Sequence, residues 1–118
     1  MSQFRITRIF SDAAGDSHFE DVLIPMNNAG DIGSLSELFP AKGIIFREVE
    51  PSYDYDFHTA PQRQYIILLD GEIQIETSLG DIRSFGAGEI LLVEDTTGKG
   101  HRTKNSIPGK RRSVFVTI

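Results

Sequence analysis

Cysteine is absent from the 118-residue chain. Its absence excludes a disulfide framework, a thiolate metal site and a sulfur nucleophile, and it fits a cytoplasmic protein. Long apolar runs are missing too. None approaches the roughly 18 residues that a membrane-spanning helix needs. The first residues, Met1-Ser2-Gln3-Phe4-Arg5, hold no apolar core of a signal peptide. Positive charge is in deficit, with 12 Lys and Arg against 17 Asp and Glu, a net charge of −5. That balance argues against non-specific nucleic-acid binding. The basic residues that exist crowd the end of the chain, at Lys99, Arg102, Lys104, Lys110, Arg111 and Arg112. They form either a solvated loop and strand edge or a rim that attracts a small anion. No aromatic residues interleave with them as a single-strand nucleic-acid platform requires.

Helical periodicity is also lacking. No stretch sustains a 3.6-residue repeat over the 11 or more residues a long helix needs. What remains is a series of about nine short segments rich in β-branched and aromatic residues, separated by Gly, Pro and Asp turns. They are Phe4–Phe10, His18–Ile24, Lys42–Glu50, Tyr53–His58, Gln64–Leu69, Glu72–Thr77, Ile82–Phe85, Glu89–Glu94 and Arg111–Ile118. Ser34–Phe39 could form one helical turn, with Ser34 as N-cap and Glu37 three residues on, or a short irregular segment. Asp70-Gly71 reads as the turn of a hairpin joining Gln64–Leu69 to Glu72–Thr77. In Tyr53–His58 strict alternation puts Tyr53, Tyr55 and Phe57 on one face and Asp54, Asp56 and His58 on the other. The whole pattern implies one all-β domain over 1–118: a sandwich, a jelly roll or a barrel.

Tyr65–Leu69 and Ile90–Val93 carry apolar residues on both faces. One face can line a core; the other needs cover, and no helix is on hand to supply it. A second copy of the chain is the expected lid, so the sequence predicts a homodimer packed through an outer sheet face.

Two of the three histidines sit at corresponding places, His58 just before an apolar strand and His101 just after one. Around them runs a recognisable spacing. After His58 come Gln64 and, six residues on, Gly71; after Gly88 come Glu94, His101 and Asn105, the last pair spaced H-x-x-x-N. Over Lys42 to Asn105 the chain resembles the cupin superfamily of jelly-roll barrels. Its first motif is G, five residues, H-x-H, three or four residues, E, six residues, G. Its second is G, five residues, P-x-G, two residues, H, three residues, N. The resemblance implies an all-β cupin barrel of two antiparallel sheets with little or no helix. It also implies one pocket shared by His58, Gln64 and His101.

The departures bear on chemistry. Metal-binding cupins use two histidines and a glutamate from the first motif and a histidine from the second. Here Ala60 stands for the second histidine, Gln64 for the glutamate and Ser52 for the opening glycine. His58, Gln64 and His101 are thus the candidate ligands for one divalent iron, manganese, nickel or zinc ion. Two imidazoles and an amide make a poor set, so the expectation is weak binding or none. Asp56, two residues before His58, shares its face under regular alternation and would improve it.

The expected ligand-binding residues are His58, Gln64, His101, Arg63, Ile66 and Leu68. Arg63 at the mouth would suit a carboxylate or phosphate, and Ile66 and Leu68 would follow Gln64 along the wall. Gln64 would either hold His58 in one tautomer or link strands. Arg47 and Glu48 point to opposite faces, and the sequence does not say which points inward. Glu94 and Asp95 could orient His101, and Gly98 and Gly100 serve a turn with positive φ. The function expected is binding of a small polar or anionic organic molecule. His58 and His101 would act as catalytic acid and base in an isomerase, epimerase or lyase, or a metal would support oxygenase chemistry. The alternatives are a non-catalytic binding or sensing module that has lost its metal ligands, and a purely structural barrel. No nucleic-acid or membrane partner is expected.

Overall fold

The computed structural model describes residues 3–118. Its strands are β1 (Phe4–Ser11), β2 (Ser17–Ile24), β3 (Asn27–Asn28), β4 (Ser34–Leu35), β5 (Gly43–Val49), β6 (Asp54–His58), β7 (Gln64–Leu68), β8 (Glu72–Thr77), β9 (Ile82–Gly86), β10 (Ile90–Val93), β11 (His101–Asn105) and β12 (Arg111–Thr117). One sheet has the order β2-β1-β10-β7-β12-β5 and a second the order β6-β11-β8-β9. All pairings are antiparallel except β1 with β10, which is parallel. The only helical piece among the described residues is a 3-10 turn, Gly30–Ile32. Among the described residues no helix is long and apolar enough to cross a membrane.

Period-two alternation builds the core between the sheets. Ile9, Leu68, Leu91 and Val93 come from the larger sheet and Ile73, Ile75 and Phe85 from the smaller one; all are buried in one cluster. Fully burying a side chain of this size stabilises by about 1.5–3 kcal/mol, so these seven define how the two layers face each other.

Two local readings are corrected. Of the two for Ser34–Phe39 the helical turn fails: Ser34 and Leu35 pair as strand with Asn28 and Asn27, and 36–39 are irregular. Asp70-Gly71 does not close a hairpin either, because β7 and β8 lie in different sheets. Asp70 is tied to β12 instead, accepting the Arg112 backbone N–H at 2.6 Å and its Nε at 2.8 Å. Gly71 has φ +72°, and a Cβ there would stand 3.0 Å from the Arg111 side chain. The pair is a corner that carries the chain from one layer to the other, and it puts the inward faces of β7 and β8 opposite each other.

The β6–β11 pairing is irregular. His101 aligns with His58, but Thr103 aligns with Tyr55. Two steps along β11 thus match three along β6, which is a β-bulge. The bulge breaks the alternation of Tyr53–His58, and Tyr55 and His58, expected on opposite faces, both turn inward.

Candidate functional site

Between the sheets lies a cavity of about 370 Å³ with apolar walls that include Ile45, Ile66, Leu91 and Phe115. Its polar lining is Arg47, Tyr53, Tyr55, His58, Gln62, Gln64, His101 and the Thr59 and Thr103 side chains. No Asp or Glu side chain lines it among the described residues.

His101 opens β11 and is almost completely buried. Its Nδ1 lies 2.6 Å from Oδ2 of Asp95, whose side chain has no exposed surface and also accepts the Ser17 hydroxyl at 2.8 Å. An ionised carboxylate only accepts, so Nδ1 carries the proton and Nε2 is turned to the cavity. The preceding Gly100 makes this possible. It has φ +76°, and a Cβ there would stand 2.0 Å from the His58 carbonyl oxygen. Only glycine lets the 98–100 loop pass so close to β6 and deliver His101 beside His58.

His58 ends β6. Its Nδ1 donates to the Asp56 carbonyl at 2.7 Å, which fixes the tautomer and leaves Nε2 without a protein partner. Tyr55 stacks on the ring at 3.8 Å, and the His101 ring lies 4.7 Å away at 56°. Burial pushes the His58 pKa below the ordinary imidazole value; the Asp56 bond opposes this, and charge on His101 adds to the lowering. His58 is therefore the neutral-leaning imidazole.

Gln64, the first residue of β7, faces the same cavity from the other sheet. It is only 5% exposed, and its amide has no hydrogen bond among the described residues. It does not set the His58 tautomer; Asp56 does. Arg47 is the inward residue of the Arg47–Glu48 pair. Its Nε donates to the Ser113 hydroxyl at 3.0 Å and its guanidinium lies over the Phe115 ring at 4.5 Å.

The three residues expected to share a pocket, His58, Gln64 and His101, all line it, with Ile66 on the wall. The histidines are side by side on one wall rather than facing across it. Leu68 is not part of the lining: it follows Ile66 on the inward face but one step deeper, where the core packs around it. Arg63 is not at the cavity either. It pairs with Glu94, which also holds Arg8, on the outer side of the larger sheet. Burial opposes ionisation of Glu94, but the two guanidinium groups hold its carboxyl below the usual range. Glu94 thus leaves His101 to Asp95 alone. Asp56 turns its side chain onto the Phe57 N–H at 2.8 Å and offers the pocket nothing.

Five of the six residues of the terminal basic cluster are paired or buried and line no part of the cavity, and Lys104 is exposed on β11, also outside the lining. Lys99, Arg102, Lys110 and Arg112 pair with Asp16, Asp54, Glu48 or Glu50, and Asp70. Arg111 is buried, and Asn105 accepts its Nε while clamping the Glu50 and Pro51 carbonyls. The motif asparagine therefore holds the β5–β6 corner. Tyr53 and Tyr55 were missed as lining residues because a bulge leaves no mark in the sequence.

No protein-family model and no curated protein matches the chain. Among solved structures it is similar to protein NMB1881 from Neisseria meningitidis, with 20% identity over 70% of this chain and 80% of that one, TM-score 0.50. It is also similar to the Cnp3 cupin domain of Schizosaccharomyces pombe, with 11% identity over 100% of this chain and 86% of that one, TM-score 0.52. The chain has the cupin fold, all-β with two main sheets and the small β3–β4 sheet beside them. A cupin that holds a metal brings three imidazoles and a carboxylate to this place. Here the groups with a free donor are two imidazoles and one amide, and the nearest carboxylate, Asp95, is on the far side of His101. That set does not fit a tightly held divalent ion.

Proposed function

We propose that the chain binds a small organic anion in this cavity, without a resident metal, and that His58 and His101 exchange protons with it. The observation that supports this most is the matched imidazole pair. Each ring spends Nδ1 on an internal acceptor and offers Nε2 to a cavity large enough for a small metabolite. Desolvation keeps His58 in the neutral form that a general base must start from. Asp95 behind His101 can stabilise the positive charge that develops there as His101 takes up or gives back a proton. Gln64 can donate to a carbonyl oxygen.

The two rings on one wall favour one class of reaction. A two-base epimerase needs a proton donor and acceptor on opposite faces of the substrate. Neighbouring imidazoles serve a single face, as in moving a proton between adjacent carbons of an enolisable compound. The test is solvent exchange: small keto acids are incubated in deuterium oxide with protein and followed by proton NMR. Faster exchange beside the carbonyl than in buffer, lost in His58→Gln, supports catalysis. Binding with no exchange in any of them would leave the second reading, a non-catalytic binding module. Ala60 and Gln64, standing where metal ligands stand in metal-binding cupins, favour that second reading.

The proposal includes a second copy of the chain. On the outer face of the larger sheet the register aligns two apolar rows, Ile90-Ile67-Val114-Phe46 and Leu92-Tyr65-Val116-Ile44. Phe46 is 77% and Ile44 57% exposed. Two rows across four strands make a self-complementary face of the kind a two-fold dimer buries.

A further inference from the structure

Arg47 is the one guanidinium in the cavity lining, and no carboxylate lies within ion-pair distance of it among the described residues. It is nonetheless held in place by neutral groups: the buried Ser113 hydroxyl at 3.0 Å, the Phe115 ring at 4.5 Å and the Tyr53 ring at 5.4 Å. Nε is spent on Ser113 and one Nη1 proton reaches the Tyr53 hydroxyl at 3.5 Å, so arginine fixed by these neutral neighbours keeps its charge and its Nη2 protons for an anion. A second guanidinium reinforces the potential. Arg111 is 1% exposed, also lies 5.4 Å from the Tyr53 ring, and has Nη1 and Nη2 without a partner among the described residues. Burial and, after it, the charge of Arg47 both push its pKa down. This end of the cavity is therefore positive, although Asp70 lies close enough to Arg111 to act on it; no acidic side chain is in the lining among the described residues.

From Arg47 an aromatic ladder runs to the histidines. The Tyr53 ring is 6.4 Å from Tyr55, Tyr55 is stacked on His58 at 3.8 Å, and His58 is 4.7 Å from His101. Two tyrosine rings thus separate the cation from the imidazoles, and the surface opposite them is apolar, with Ile45, Ile66 and Phe115.

Building on the imidazole reading above, we infer that the ligand class is an organic acid whose carboxylate docks on Arg47. An apolar spacer of several carbons separates that carboxylate from the carbonyl or hydroxyl that meets His58 and His101.

The test uses 6-oxoheptanoate, its uncharged counterpart heptan-2-one, and the shorter 4-oxopentanoate. Binding is followed by the imidazole nitrogen signals of His58 and His101. Wild type should bind 6-oxoheptanoate at least tenfold more tightly than either of the others. Arg47→Met should reduce 6-oxoheptanoate to the level of heptan-2-one, and Arg47→Lys should fall between. If Arg47→Met does not fold, the wild-type preference for acid over ketone decides alone. Equal binding of acid and ketone, with both histidines responding, overturns the Arg47 assignment and leaves the imidazole pocket standing. Equal binding of the short and long acids overturns the spacer. No response of either histidine to any probe overturns this inference and the pocket reading together.

Discussion

Asp95 shows how much a single buried carboxylate can organise. It aims His101, ties down Ser17 and, through its carbonyl, accepts the Ala60 N–H at 3.0 Å. Replacing it with alanine strands two buried donors, at a cost of about 1–3 kcal/mol. Urea unfolding of Asp95→Ala should show a loss in that range; an unchanged midpoint contradicts the role given to the residue. His58 gives a pH signature. Its folded-state pKa is below the ordinary 6.5, so between that lowered value and 6.5 the unfolded chain binds more protons. Stability therefore rises with pH through this window and is lost as pH falls through 6.5 to the lowered value. His58→Gln should flatten that slope, as measured by thermal unfolding at closely spaced pH values. A slope identical to wild type removes the desolvation argument. At this scale the sequence disclosed His58, Gln64 and His101 because their spacing survives even where the ligand types have changed. It did not disclose Arg47, since the parity of a strand says which residues share a face but not which face is inside.

The element that decides the site is β6 with its bulge, clamped from behind by Gly100. Regular alternation would hide Tyr55 from His58; one extra residue brings both into the cavity. Gly100→Ala forces a Cβ to within 2.0 Å of the His58 carbonyl oxygen at a φ of +76°. Overpacking and backbone strain each cost about 1–3 kcal/mol, so the variant should lose on the order of 3 kcal/mol in denaturant unfolding. Gly80→Ala, where nothing lies within 4 Å, should lose less; equal losses would mean that contact with β6 is unimportant. The nine segments named from the sequence are all strands, each within a residue of its observed ends, since apolar alternation and turn residues act locally; β11, the strand that carries His101, was missed because His101-Arg102-Thr103-Lys104-Asn105 has no apolar residue to alternate. The corner at Asp70-Gly71 was not. Its sequence suits a hairpin, and only the ties to Arg111 and Arg112, some forty residues later, send the chain across to the other sheet.

For the whole molecule, the all-β cupin architecture followed from strand spacing together with the two motifs, and the structure has that fold. The apolar rows on the outer sheet face lead to a prediction about assembly. Light scattering after gel filtration should give twice the 13.1 kDa of one chain. The double variant Phe46→Lys, Ile44→Lys should give one chain mass with the thermal transition kept; a wild-type monomer at high concentration would remove the dimer. The donor chemistry leads to another. Wild type titrated with zinc or nickel in a calorimeter should show no tight one-to-one binding, whereas Ala60→His with Gln64→Glu should gain it. Tight binding by wild type would reopen metal chemistry.

The account rests on where two ring nitrogens point, and long-range proton–nitrogen NMR of the imidazoles reads that directly. It should show the proton of His58 on Nδ1 with Nε2 free, a proton on Nδ1 of His101, and movement of the Nε2 signals of both residues when 6-oxoheptanoate is added. A His58 proton on Nε2, or Nε2 signals indifferent to the added acid, would contradict it.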